Sequence, residues 1–64
     1  MKVRDVVRFL TNDGWEQVSQ KGSHRQFKHA TKAGEVTVPG KLSDDVPNGT
    51  LKSIFRQAGL EKRR

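Results

Sequence analysis

The chain has 64 residues, with 13 lysines and arginines against seven aspartates and glutamates, and no cysteine. A domain of this length buries only about 60% of the surface its unfolded chain exposes, and without cysteine neither disulfides nor thiolate–zinc sites are available to stabilise it. The net charge of +6 and a pI near 10.4 predict attraction to a polyanion or to an acidic protein partner.

The N-terminal stretch "MKVRDVVRFLTNDG" places Val3, Val6, Val7 and Leu10 at i, i+3, i+4 and i+7, one stripe of an amphipathic helix, with Phe9 at its border. "NDG" predicts its end, since Gly14 can take the left-handed conformation that follows a helix C-terminus. Charges interrupt every apolar pair here, so the stretch lacks the apolar core of a signal peptide, and no run is long enough to span a membrane. With the absence of cysteine, this fits a cytoplasmic protein.

The period then changes. "WEQVSQ", "HRQFKH" and "EVTVP" are short, rich in β-formers and separated by "KG" and "TKAG", which predicts a three-stranded antiparallel meander. Trp15, beside the Gly14 stop, reads as a core residue. Alternation divides the second strand. If Phe27 enters the core, Arg25 and His29 share its side or the rim, while His24, Gln26 and Lys28 take the other face. The two histidines therefore point in opposite directions, and His29 reads as structural or solvated.

The segment "GKLSDDVPNG" follows. Asp44 and Asp45, adjacent and without a third ligand, fit electrostatic support of the coming helix better than a metal site. Leu51, Ile54, Phe55 and Ala58 form the second helical stripe, closed by Gly59, with Asn48 or Thr50 as the N-cap. Residues 61–64, "EKRR", read as a frayed tail. Helix–strand–strand–strand–helix, with each helix amphipathic and the sheet apolar on one side, predicts an α+β domain over residues 1–64. Both helices then pack on one sheet face, and the other face is open.

That open face is where chemistry fits. His24 stands at the mouth of a glycine-containing turn, with Lys21 before it and Lys28 further along the strand. Gly22 allows close backbone approach, and the N–H groups of Gly22 and Ser23 can meet a phosphate oxygen. An imidazole beside phosphate-binding cations suits a general base that removes the 2′-OH proton of RNA. The 2′-oxygen then attacks the adjacent phosphorus, without a metal or other cofactor, to leave a 2′,3′-cyclic phosphate. From composition alone, a lone surface histidine is more often a bystander with no chemistry. On the helices, Arg4 with Arg8 and Lys52 with Arg56 are like-charged i, i+4 pairs, which a bound anion would neutralise. Lys21, Gly22, Ser23, Lys28, Lys52 and Arg56 are thus the candidate RNA contacts.

"DGWEQVSQKGSHRQFKH", "VTVPGK" and "VPNGTLKSIFRQAGL" together resemble the HicA family of toxins, small messenger-RNA interferases of type II toxin–antitoxin pairs. The resemblance implies a double-stranded-RNA-binding-domain-like αβββα fold and metal-independent endoribonuclease activity on mRNA, with growth arrest when the toxin is free. The family's active-site histidine follows Gly-Ser, which is His24 here. The resemblance also implies a cognate HicB-type antitoxin that binds the toxin and covers that histidine. Two other readings are a non-catalytic RNA-binding module of the same fold and a regulator that binds only an acidic protein. Duplex-binding modules carry a dense lysine cluster at the start of the last helix. The single lysine of "PNGTLKS" favours single-stranded RNA.

Overall fold

The computed structural model describes residues 1–60; the expected tail at 61–64 lies outside the described residues. The elements run α1 (Val3–Asn12), β1 (Trp15–Lys21), β2 (His24–His29), β3 (Glu35–Val38) and α2 (Asn48–Gln57), with the strands in the order β1-β2-β3 and antiparallel throughout. Val3, Val6, Leu10, Trp15, Phe27, Val36, Val38, Val46, Ile54 and Ala58 form one buried cluster. It draws on both helices and one face of the sheet, so both helices cover that face and the other is open, the double-stranded-RNA-binding-domain-like arrangement.

The helix starts differ from the expectation. α2 is preceded by Pro47 at the N-cap, with no side-chain cap, so neither Asn48 nor Thr50 serves; the Pro47 carbonyl accepts from Leu51 N at 2.9 Å. The acidic loop supports α1 instead. Val3 N donates to the Asp44 carbonyl at 2.9 Å and Arg4 N to the Leu42 carbonyl at 3.1 Å, while Lys2 pairs with Asp45 at 3.4 Å. Backbone carbonyls thus satisfy helix amides that no side chain caps. α2 closes as expected. Leu60 N bonds Phe55 O and Gly59 N bonds Arg56 O around Gly59 at φ +74°, the Schellman pattern, and Leu60 folds back onto the core.

The sheet contains one feature that simple alternation does not predict. At the hairpin tip Lys21 pairs with His24, and at the far end Trp15 pairs with His29. Gln17 faces Phe27 and Ser19 faces Gln26, leaving Val18 without a partner, 53% exposed. This bulge reverses the parity of β1 midway. Trp15 can therefore be buried with Phe27 while Lys21 stands on the open face.

Two side chains close the end of the core beyond Trp15. His29 meets Trp15 edge-on, ring centroids 5.2 Å apart. Lys32 Nζ donates to Asp13 Oδ2 at 2.6 Å and to the Ala58 carbonyl at 3.1 Å, placing one ammonium at the C-terminal ends of both helices. A cation there also opposes the negative ends of the helix dipoles.

Candidate functional site

The tip of the β1–β2 hairpin is the two-residue turn Gly22-Ser23. Gly22 has φ +56° and Ser23 does not have positive φ, the combination of a type II′ turn, in which glycine at the first central position matches the twist of the strands. The turn fixes Lys21 directly opposite His24.

His24 is exposed on the open face, and among the described residues nothing hydrogen-bonds its ring. It borders a shallow concavity of about 480 Å³ lined also by Ser19, Gln20, Lys21, Gln26 and Thr37. Neighbouring polar groups are ordered: Ser19 Oγ lies 3.1 Å from Gln26 Oε1, and Gln20 Nε2 donates to the Gly22 carbonyl at 2.9 Å. An imidazole with both nitrogens accessible, a lysine across from it and amide and hydroxyl groups around it can take a proton from a bound hydroxyl and hold an anion beside it.

The other expected contacts are distributed unevenly. Lys21, Gly22 and Ser23 share the hairpin tip with His24. Lys28 is on the same face but pairs with Glu35 at 3.5 Å, faces Glu16 across β1, and does not line the concavity. Lys52 and Arg56 lie on α2, in the layer beneath the sheet, away from His24's face. Arg25 is at the rim, where Nη1 donates to the Gly40 carbonyl at 2.8 Å. Gln26, which alternation places on His24's face, lines the concavity, while Ser19, Gln20 and Thr37 were not singled out as lining residues. Alternation along β3 indicates Thr37, whereas the position of Ser19 depends on the bulge.

The second histidine is built into the scaffold. His29 Nε2 lies 2.6 Å from the Asp13 carbonyl, while Nδ1 accepts from Thr31 N at 3.0 Å and Lys32 N at 3.1 Å. A carbonyl only accepts, so the ring proton belongs on Nε2. The Asp13 carboxyl is held below its ordinary value of 3.8, first by its hydrogen bond from Lys32, against partial desolvation that raises it. The Lys32 charge, the indole N–H of Trp15 and His29 lower it further. Trp15 Nε1 is buried without a hydrogen bond of proper geometry, so its influence on Asp13 is that of a nearby dipole. Among the described residues no three potential ligands cluster as a metal site, and no helix is long and apolar enough to cross a membrane.

Against this geometry stand the comparisons with known proteins. The family model for the HicA toxin of bacterial toxin–antitoxin systems matches residues 3–60, nearly the whole chain. No curated protein matches it. The chain belongs to the HicA toxin family.

Proposed function

We propose that this HicA-family toxin is an endoribonuclease that cleaves single-stranded messenger RNA at the hairpin tip, with His24 as the catalytic residue. The observation that carries the reading is His24 itself: exposed on the open face, its ring engaged by no described neighbour, with Lys21 directly across the turn. In the reaction the imidazole takes the proton of a ribose 2′-OH, and the 2′-oxygen forms a bond to the adjacent phosphorus. The bond from phosphorus to the 5′-oxygen breaks, and that oxygen is protonated from water. The products are a 2′,3′-cyclic phosphate and a 5′-hydroxyl. Lys21 and the amides of Gly22 and Ser23 stabilise the charge that builds on the phosphoryl oxygens.

Restraint of the toxin fits a HicB-type antitoxin with an acidic surface. Such a surface is complementary to a chain of net charge +6 and would associate quickly with it. By covering the open face it would block His24 and the RNA path together.

The test compares wild type with His24→Ala on purified RNA. Loss of cleavage by a factor of about 10²–10⁴, with fold and RNA affinity retained, is the expected result for removal of a general base. A His24→Ala protein that cuts as fast as wild type overturns the assignment. RNA binding by a wild type that never cleaves would instead identify a non-catalytic module.

A further inference from the structure

A second concavity, of about 430 Å³, lies on the other side of the hairpin tip from His24, between the turn, the start of α1 and the loop after β3. Three cations line it: Arg4, Arg25 and Lys41. Arg25 is tied to the Gly40 carbonyl, but among the described residues no partner engages the side chains of Arg4 or Lys41. Asp44, the carboxylate beside this groove, is turned to the Lys41 backbone, accepting from its N–H at 3.0 Å. Leu42, 46% exposed, adds an apolar surface among these charges.

We infer that this groove binds the single-stranded RNA that flanks the cleaved phosphate, with Arg4 and Lys41 on successive phosphates and Leu42 against a ribose or base. The inference rests on the endoribonuclease reading and extends it. Three features favour a nucleotide chain over an acidic protein. The groove and the His24 concavity both border Gln20, so they adjoin at the tip. The tip between them is Gly22, where a Cβ would meet nothing within 4 Å, so a strand can cross it at backbone distance. Arg4 and Lys41, without a side-chain partner among the described residues and interleaved with an exposed apolar side chain, match a ligand whose charges alternate with flat apolar units.

The sequence offered only part of this. Arg4 is visible as one of a like-charged helical pair, but Lys41 belongs to an irregular loop whose place beside the hairpin comes from the backbone bonds of that loop to α1.

The experiment measures binding of a short 2′-O-methylated single-stranded RNA, which cannot be cleaved, across salt concentrations. The proteins are wild type, Arg4→Gln, Lys41→Gln and Arg8→Gln. Arg8→Gln removes the same charge one helical turn from Arg4, outside the groove. Each of Arg4→Gln and Lys41→Gln should flatten the slope of log K against log [salt] by about 0.7, the value for one phosphate contact to a single strand. Arg8→Gln should leave it unchanged. Wild-type slopes in the two groove variants, or equal flattening by Arg8→Gln, would overturn the inference. Poly-glutamate bound as tightly as the RNA, with the same losses in both variants, would reassign the groove to an acidic protein and overturn it too. Cleavage of unmethylated RNA by wild type, run alongside, separates the failures. Cleavage with unaltered slopes sinks the groove alone; neither cleavage nor RNA binding sinks the endoribonuclease reading with it.

Discussion

Trp15 and Lys21 lie an even number of residues apart on β1, yet they point to opposite faces of the sheet: Trp15 is buried across from His29, and Lys21 faces solvent across from His24. A regular strand would put both on one face. Val18, the residue without a partner, absorbs the difference. One bulge therefore reconciles two demands on the same strand, a core end and a site end.

Because the pairs on either side of the bulge are already in register, removing Val18 restores a regular hairpin and changes none of them. Deletion of Val18 should fold, keep the Lys21–His24 pair and alter stability by only about 0.5 kcal/mol, as for a surface change. Deletion of Gln26 shifts β2 against both neighbours and should abolish folding. Urea denaturation of the two variants checks this, and an unfolded Val18 deletion would mean that the bulge does more than absorb one residue.

Much of this was legible beforehand. The helical stripes predicted the buried positions Val3, Val6, Leu10, Ile54 and Ala58, and alternation around Phe27 separated His24 from His29. What was not legible depends on contacts between distant segments. Periodicity cannot reveal that Asp44 and Asp45 serve the first helix, because their partners, Val3 and Lys2, lie far away in sequence. The bulge was hidden for a related reason. "WEQVSQK" has no clean alternation, and the turn and the core fix its two halves independently. The groove of Arg4 and Lys41 was hidden by the same loop placement.

Glycine substitutions should separate strain from entropy. Gly14 has φ +102°, and a Cβ there would lie 2.7 Å from His29 Nε2, so Gly14→Ala must both adopt a poor backbone and push His29 off the Asp13 carbonyl. A loss of at least about 1–3 kcal/mol is expected. Gly49, in the first turn of α2, has neither a positive φ nor a neighbour within 4 Å of a Cβ, so Gly49→Ala should add about 0.4–1 kcal/mol. Opposite shifts in thermal midpoint are the readout, and equal shifts would contradict the geometry.

Acid should release the clip between the two helix ends. The folded Asp13 carboxyl has its pKa held below 3.8, chiefly by the Lys32 hydrogen bond. A depressed folded pKa means that the stabilisation is complete above the unfolded pKa and is lost as pH falls through the folded one. Urea midpoints measured from about pH 6 down to about pH 2 should therefore fall more steeply for wild type than for Asp13→Asn, with the two converging at the acid end. Parallel curves would show that the ion pair contributes nothing.

The two ends of β1–β2 should respond to substitution in opposite ways. His29→Ala removes the ring that bonds Asp13, Thr31 and Lys32 and packs on Trp15, so it should cost roughly 2–3 kcal/mol of stability while the folded fraction keeps its cleavage rate. Lys21 is exposed, and no ion pair is found for it among the described residues, so Lys21→Ala should leave the thermal midpoint unchanged. Its loss should instead slow cleavage by about 10²–10³, as for a group that stabilises developing charge. Lys21→Arg, which keeps the cation, should recover part of the rate. Single-turnover cleavage normalised to folded protein reads both ends. A folded His29→Ala that fails to cut, or a Lys21→Ala that cuts like wild type, would place the chemistry elsewhere on the sheet.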